Sequence, residues 1–159
     1  MARKIKLLIA DDEIKFLNSL AKRLELRGFE VTKAEDGQQA LDCANLGQFD
    51  LALIDLKMPG TNGKQVLELL KKTNDYVEVI IMTGHGSAEA AAECMKLGAF
   101  SYVPKPYELE KITETLRQAY AARLKKELHT KADLSKRLDE LASLPDPIEA
   151  VKAMSELVE

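Results

Sequence analysis

The feature of this chain that most constrains its fold is a regular alternation of short apolar runs with longer helical patterns. Five runs of four to six residues are apolar, and several are rich in isoleucine and valine. Their length and composition favour β-strands over buried helices. The runs are Ile5 to Ala10, Phe29 to Ala34, Leu51 to Ile54, Val77 to Met82 and Phe100 to Val103.

Amphipathic helical patterns fill the intervals between these runs. Apolar residues recur at spacings of three and four, and Gly28 and Gly98 provide C-terminal stops. Ser87 is a suitable N-cap for the helix that ends before Gly98. The patterns begin at Ile14 in the first interval and cover Gly37 to Leu46, Gly63 to Lys72 and Ala88 to Leu97 in the others.

Five strand–helix units in succession predict an α/β fold, a doubly wound parallel sheet with helices on both faces and right-handed crossovers. The first, third and fourth runs are almost continuously apolar, which is typical of strands that are covered on both faces. In such sheets the loops at the carboxyl ends of the strands carry the chemistry. Candidate functional residues are therefore sought at that edge.

Polar side chains follow four of the five predicted strands. Asp11 and Asp12 come after the first strand, Asp55 after the third, Thr83 after the fourth and Lys105 after the fifth. Because the carboxyl ends of parallel strands meet at one edge of the sheet, these side chains are expected to lie close together.

The chemistry of this set points to a metal ion and a phosphoryl group. Three crowded carboxylates repel one another and raise their own pKa values, and a hard divalent cation such as Mg²⁺ relieves that repulsion. A hydroxyl and an ammonium group equip the same edge to hold phosphoryl oxygens, while a carboxylate is a competent phosphoryl acceptor.

Taken singly, each of these residues has a simpler interpretation. Adjacent acidic residues at the start of a helix usually just interact favourably with the helix dipole. An aspartate such as Asp55, shortly before a Pro-Gly pair, is more often a turn former. Thr83 could cap a loop, and Lys105 could be an ordinary solvated lysine. The functional interpretation depends on the joint arrangement.

The combined motifs resemble the signature of the two-component response-regulator receiver domain, which belongs to the CheY-like superfamily. Among receivers they are most similar to the NtrC type. The resemblance covers about residues 4–120 and implies a five-stranded parallel sheet of order 2-1-3-4-5. The motifs that carry it are Asp11-Asp12, Asp55-Leu56-Lys57-Met58-Pro59-Gly60, Thr83-Gly84 and Lys105-Pro106.

The resemblance implies a phosphorylation-activated response regulator in a phosphorelay. Asp55 would accept a phosphoryl group from a sensor histidine kinase or a phosphotransfer protein, in a reaction that depends on Mg²⁺. Thr83 and Lys105 would hold the phosphoryl oxygens. The chain would then be a signalling switch that catalyses only its own phosphorylation and dephosphorylation, not an enzyme with an outside substrate.

The same resemblance implies a metal site. Asp12 and Asp55 would bind Mg²⁺ directly, the backbone carbonyl of Lys57 would be a third ligand, and Asp11 would act mainly through water. The side chain of Lys57 has two interpretations, a cover for the phosphoryl group or a solvated lysine. His85 suggests a general base, but a loop histidine is more often uninvolved.

Phosphorylation is expected to change the shape of the domain. By the resemblance, Thr83 moves toward the phosphoryl group and Tyr102 turns inward behind it. A half-buried sheet tyrosine is an equally good interpretation of Tyr102. The responsive surface would be the fourth helix, fifth strand and fifth helix, about residues 87–117, where a downstream protein would bind. The resemblance also implies that the peptide bond between Lys105 and Pro106 is cis.

The C-terminal part exceeds what a receiver domain needs. A helical pattern runs without glycine or proline from about Tyr107 to Ser143, or roughly 55 Å if unbroken. Its apolar positions approximate a heptad repeat that slips between Leu128 and Leu134. Self-association and folding back on the same chain are the two ways to bury this stripe, and both remain open. We expect a receiver domain over residues 1–120 and a helical extension over 121–159, the latter ending in a short helix from Ile148.

Charge and composition exclude several classes of function. The net charge is −3, and the residues from Tyr107 onward hold nine Lys/Arg against eleven Asp/Glu, which argues against direct nucleic-acid binding. No apolar stretch is long enough to span a membrane. The two cysteines fit neither a metal nor a disulfide pattern, so reduced thiols and a cytoplasmic location are expected.

Two other functions compete with the signalling switch. A Mg²⁺-dependent phosphohydrolase would also place acids at strand ends, but here the pair is Asp-Asp and not Asp-x-Asp, and no lid is evident. A structural receiver that is never phosphorylated is the second alternative, and the intact acid set argues against it.

Overall fold

The computed structural model describes residues 4–74, 76–84 and 88–158. Five strands alternate with helices along the chain, as the apolar runs predict. The strands are β1 (Ile5–Ala10), β2 (Phe29–Ala34), β3 (Leu51–Asp55), β4 (Glu78–Thr83) and β5 (Ser101–Pro104). The helices are α1 (Ile14–Leu26), α2 (Gly37–Leu46), α3 (Gly63–Thr73), α4 (Ala88–Lys96), α5 (Leu109–Ala142) and α6 (Pro147–Val158).

The five strands form one parallel sheet of order β2-β1-β3-β4-β5, which confirms the predicted α/β topology. The central strands β3 and β4 are buried along their whole length, whereas the edge strand β2 exposes three of its six residues. This difference follows from position, because only the inner strands are covered by neighbours and by helices on both faces.

Alternating strand residues belong to two separate hydrophobic clusters, one on each face of the sheet. On one face α2, α3 and α4 pack over strand residues such as Leu8, Ile54 and Ile81. On the other face α1 and α5 pack over residues such as Ile9 and Leu53. The sheet is therefore covered on both sides, and its carboxyl edge is left for polar groups.

Local sequence signals set several of the helix ends. The Asp36 side chain accepts a hydrogen bond from the Gln39 N–H at 2.8 Å at the start of α2. Asn62 and Gln65 form a reciprocal capping box at the start of α3. Gly28 closes α1 with φ of 101°, a conformation that favours glycine. The N-cap predicted at Ser87 lies outside the described residues.

A buried ion pair lies at the amino end of the sheet, opposite the predicted functional edge. Asp50 immediately precedes β3, and its Oδ1 is 3.0 Å from Nε of Arg123 on α5. Its Oδ2 accepts a hydrogen bond from the backbone N–H of Lys6 at 2.9 Å. Asp50 and Arg123 are only 2% and 9% exposed. No local sequence pattern marks this pair, which anchors α5 beyond Leu116.

The chain divides into two compact units, of which the first ends at Arg123 and the second begins at Leu124. Helix α5 contributes to both and is slightly shorter than the predicted stretch from Tyr107 to Ser143. In the second unit Ala150 of α6 is buried. Many of the apolar side chains described in this unit are exposed, namely Leu124, Leu128, Leu134, Leu138, Leu144, Ile148 and Val151.

Candidate phosphoacceptor site

The carboxyl edge of the sheet brings the predicted functional residues together. Asp55 is the last residue of β3 and Thr83 the last residue of β4, while Asp11 directly follows β1 and Lys105 directly follows β5. A cleft of about 230 Å³ at this edge is lined by Asp12, Glu13, Asp55, Lys57, Thr83, Gly84 and Lys105. The order of the strands thus produces the arrangement that the sequence predicts.

Three carboxylates form a cluster at this edge of the sheet, which we call the acidic triad: Asp11, Asp12 and Asp55. One ligand oxygen from each lies within 4.8 Å of the other two. Asp11 is fully buried, Asp55 is 4% exposed and Asp12 is exposed. Two of the three are oriented by local backbone hydrogen bonds, because the N–H of Glu13 donates to Asp11 Oδ1 at 2.9 Å and that of Lys57 to Asp55 Oδ1 at 3.3 Å.

Lys105 supplies the cation of the site. Its Nζ donates to Asp11 Oδ2 at 2.6 Å and lies 3.7 Å from Asp55 Oδ2 and 3.6 Å from Glu13 Oε1. The Lys105 backbone N–H donates to the carbonyl oxygen of Thr83 at 2.9 Å. The peptide bond to Pro106 is cis, as the resemblance implies.

Burial raises the pKa of Asp55 to about 6, and this is the largest influence on that carboxyl. The Lys105 ammonium lowers the pKa, the charge of Asp11 raises it, the Lys57 N–H lowers it and the charge of Asp12 raises it. Repulsion within the triad therefore contributes to the raised pKa of Asp55, but burial contributes more. The sequence pattern had indicated repulsion alone. For Lys105, burial alone lowers the pKa, yet the hydrogen bond and charge of Asp11 leave it raised overall.

The donor set of the triad suits a hard divalent cation. Three carboxylate oxygens within 4.8 Å present an excess of negative charge that one lysine only partly offsets. Carboxylate oxygens, a backbone carbonyl and water are the ligands that Mg²⁺ prefers, and Ca²⁺ accepts the same set. These residues therefore fit the metal that the resemblance implies.

The other predicted residues occupy different environments. Thr83 is 2% exposed and lines the cleft, whereas the Lys57 side chain is exposed at its rim. Tyr102 on β5 is half-buried against the cluster formed by α2, α3 and α4. His85 lies outside the described residues.

Close packing behind Asp55 requires a glycine at the start of α3. A Cβ atom built on Gly63 would lie 2.5 Å from the carbonyl oxygen of Asp55 and 2.8 Å from Cα of Leu56. The Gly63 N–H also donates to the Leu56 carbonyl at 3.0 Å. Any larger residue would displace the end of β3 that carries the Asp55 carboxylate.

An aromatic residue beside the site was missed by the sequence interpretation. The Phe16 ring lies under Lys105, whose Nζ is 4.4 Å from the ring centroid, and the ring meets Tyr107 edge to face at 5.2 Å. Both aromatic residues line a second cleft of about 710 Å³ that adjoins the acidic one. The available signal was an aromatic residue in the first turn of the helix that follows Asp11 and Asp12.

Comparison with known proteins agrees with this arrangement. The family model described as response regulator receiver domain matches residues 7–117. The chain belongs to the response regulator receiver domain family. Members of this family act as signalling switches in two-component systems rather than as conventional enzymes.

Individual relatives differ in how much of their length this chain covers. It is 36% identical over 113 residues to the uncharacterized transcriptional regulatory protein YkoG of Bacillus subtilis (strain 168), covering 71% of this chain but 50% of that protein. Sporulation initiation phosphotransferase F of the same organism is 32% identical over 113 residues, which are 71% of this chain and 91% of that protein. The chain thus spans half the length of the transcriptional regulator and most of the phosphotransferase.

Among solved structures, the beryllofluoride-activated NtrC4 receiver domain dimer has a TM-score of 0.70 and 28% identity, and the match covers 74% of this chain and 98% of that chain. This likeness agrees with the resemblance of the motifs to NtrC-type receivers. In the part of the chain that the structure describes, no helix is both long and apolar enough to cross a membrane.

Proposed function

We propose that Asp55 accepts a phosphoryl group from a phosphohistidine of a sensor histidine kinase or a phosphotransfer protein. The observation that carries this proposal is the placement of the Asp55 carboxylate within one cleft beside Lys105, Thr83 and the other two acids of the triad. We place the reaction in the cytoplasm, where a kinase of this kind presents its phosphohistidine.

In the proposed step an oxygen of Asp55 attacks the phosphorus atom of the donor. An O–P bond forms and the P–N bond breaks, so the histidine nitrogen leaves with the electron pair. Lys105 neutralises phosphoryl oxygens as charge builds on them, and the Thr83 hydroxyl donates a hydrogen bond to one of them. Hydrolysis of the acyl phosphate later restores Asp55, so the chain would catalyse only its own phosphorylation and dephosphorylation.

Mg²⁺ is the proposed cofactor, held by Asp12, Asp55 and the backbone carbonyl of Lys57, with Asp11 acting through water. When bound, the metal would neutralise charge on the acceptor and on the phosphoryl oxygens. The triad supports this assignment, because its oxygen donors lie within 4.8 Å of one another.

The proposed output is a change at the surface formed by α4, β5 and α5, to which a downstream protein would bind. Thr83 ends β4 and Tyr102 lies on the neighbouring strand β5, with Ile81 paired to Tyr102 in the sheet. Movement of Thr83 toward a phosphoryl group would open space behind it, and Tyr102, being half-buried, is placed to fill that space.

The test is to expose the full chain to beryllofluoride and Mg²⁺ and to record amide NMR spectra. We expect shifts in β4, α4, β5 and α5, and an intact-mass increase of one phosphoryl group after treatment with acetyl phosphate and Mg²⁺. Unchanged amide signals from the residues of that surface would contradict the switch proposal. Multiple turnover on a phosphate ester would instead favour the rival phosphohydrolase.

We further propose that the unit beginning at Leu124 pairs with a second copy of itself, leaving the phosphoacceptor role to the unit that ends at Arg123. Seven of the twelve large apolar side chains that are exposed in the described part of the chain lie in this second unit. Burial of such a set against an identical surface removes it from water. The NtrC4 receiver domain is also described as a dimer.

Replacing Leu128 and Leu138 together by glutamate is expected to weaken self-association by roughly 10⁴-fold, since each change is present in both copies and each of the four buried leucines contributes about 1.5 kcal/mol. Sedimentation equilibrium of the native chain and the variant would measure the change. Leu26→Glu with Leu46→Glu is the matched control, because these two leucines are exposed on the first unit. A native chain that stays monomeric at high micromolar concentration would contradict the proposal.

A further inference from the structure

We infer that Phe16 is a positioning residue for Lys105, and that the face of its ring holds the lysine ammonium beside Asp55. The inference rests on the proposed phosphoryl transfer to Asp55, because it gives Phe16 a part in placing the cation that such a transfer needs. Phe16 belongs neither to the triad nor to the motifs that identify the family.

The geometry is that of a cation–π contact in a largely desolvated place. Lys105 Nζ lies over the Phe16 ring, 4.4 Å from its centroid, and the lysine side chain is only 12% exposed. An ammonium within about 6 Å of a ring face is attracted by the negative potential of that face. The attraction is stronger where water is excluded, as it is here.

The ring differs from the other partners of Lys105 in one respect. Asp11, Glu13 and Asp55 all carry carboxylates within 3.7 Å of Nζ. Asp11 and Asp55 belong to the acidic triad, so a divalent ion or a phosphoryl group competes for the oxygens that Lys105 now contacts. The Phe16 ring has no atom that binds a metal or a proton. Glu13 also lies outside the triad, but its side chain is 68% exposed. The half-buried Phe16 ring is therefore the partner whose hold on Lys105 depends least on the state of the triad and on solvent.

The ring is itself fixed with respect to the loop that carries Lys105. Tyr107, two residues after the lysine, meets Phe16 edge to face with an interplanar angle of 85°. Phe16 lies in the first turn of α1, where it is half-buried and packs at the margin of the cluster that α1 and α5 form on the sheet. An aliphatic side chain could cover that margin, whereas an aromatic ring also contacts both Lys105 and Tyr107.

The test uses the full-length chain with four changes. Phe16→Leu keeps an apolar side chain but removes the ring, and pentafluorophenylalanine at position 16 keeps the ring shape but reverses the potential of its face. Phe16→Tyr retains the face and should behave as the native residue. Phe100→Leu is the matched control, since Phe100 is also half-buried and packs against the cluster under α1 and α5, and among the described residues the cation–π contact of Lys105 is with Phe16.

The first measurement needs no phosphoryl group. In the native chain the side-chain methylene protons next to Nζ of Lys105 are expected to resonate upfield of those of other lysines, because they lie near the ring face. Phe16→Leu should lose this upfield shift. Phe16→Tyr and Phe100→Leu should retain it.

The second measurement is the affinity for beryllofluoride at saturating Mg²⁺. Both Phe16→Leu and the pentafluoro variant are expected to bind the mimic about 3- to 30-fold more weakly than the native chain, the range that a partly to fully desolvated cation–π contact implies. Phe16→Tyr should restore native affinity. A merely structural phenylalanine would be replaced without loss by its pentafluoro analogue, because shape and apolar area are kept.

The two measurements separate failure of this inference from failure of the proposed function. If the native chain does not bind beryllofluoride, the proposed phosphoacceptor role is wrong, whatever the lysine spectrum shows. If the native chain binds the mimic and the pentafluoro variant binds it equally well, Phe16 does not position Lys105. An unshifted Lys105 resonance in the native chain would overturn the inference directly.

Discussion

Asp55→Asn is expected to abolish phosphoryl incorporation and, without divalent ions, to make the protein more stable than the native chain at pH 7. The amide cannot form the acyl phosphate, so the mass increase seen with acetyl phosphate should disappear. The stability gain follows from burial, which raises the pKa of Asp55 to about 6 and makes its ionised form costly in the folded state. We expect about 1–3 kcal/mol in the free energy of unfolding.

The sign of the pH dependence is fixed by the direction of the pKa shift. Asp55 has a higher pKa in the folded than in the unfolded chain, so its favourable contribution is complete below about pH 4 and is lost as pH rises through about 6. The advantage of Asp55→Asn should therefore be absent near pH 4 and complete above pH 6. Urea denaturation of both proteins at several pH values measures it.

Added Mg²⁺ should reduce this advantage, because an ion that binds only the native triad stabilises the native chain. Asp42→Asn is the matched control, since Asp42 is an exposed carboxylate on α2. Its stability should follow that of the native chain at every pH. A destabilised Asp55→Asn protein at pH 7 without metal would contradict the prediction. It would show that burial does not make the ionised Asp55 carboxylate costly in the folded state.

Arg123→Met is expected to destabilise the chain by about 3–5 kcal/mol, because it leaves Asp50 buried without the guanidinium that lies 3.0 Å away. The methionine keeps most of the apolar contacts of the arginine stem. Chemical denaturation followed by circular dichroism would measure the loss. The variant should remain a phosphoryl acceptor at temperatures where it is folded, since the pair lies at the opposite end of the sheet from Asp55.

Two further proteins make this prediction specific. Arg117→Met removes an exposed arginine whose contact with Glu114 is 3.6 Å long and open to solvent, and it should change stability by less than about 0.5 kcal/mol. Combining Arg123→Met with Asp50→Asn should cost less than the sum of the two single changes, because neither charge is then left alone. Equal effects of the Arg117 and Arg123 changes would refute the argument.

The fold could be predicted from the sequence because its main determinant is local. Runs such as those that became β1 and β2 had the length and composition of strands, and glycine and capping residues marked the helix ends between them. Order and parallel direction followed from the alternation and from the family resemblance. The pair Asp50–Arg123 could not be predicted, because it joins residues 73 positions apart and nothing in the local pattern marks Arg123 as buried.

The proximity of the residues that follow strands could be predicted from the sequence, whereas contacts that depend on side-chain packing could not. Asp11, Asp55 and Lys105 are placed by strand ends, and periodicity locates those. The contact of Phe16 with Lys105 depends on how the first turn of α1 approaches the loop after β5, which no spacing in the sequence encodes. Burial raises the pKa of Asp55 more than repulsion by the neighbouring acids does. This too could be recognised only from the three-dimensional structure.

The turn that closes α1 has a practical consequence for labelling the protein. Leu26 is 82% exposed and lies just before Gly28, at the edge of the sheet away from the acidic triad. Burial raises the thiol pKa of both Cys43 and Cys94, which leaves less thiolate to react with alkylating reagents. A thiol introduced by Leu26→Cys would therefore take up a maleimide dye first, and the dye would leave the cleft at the opposite edge of the sheet open.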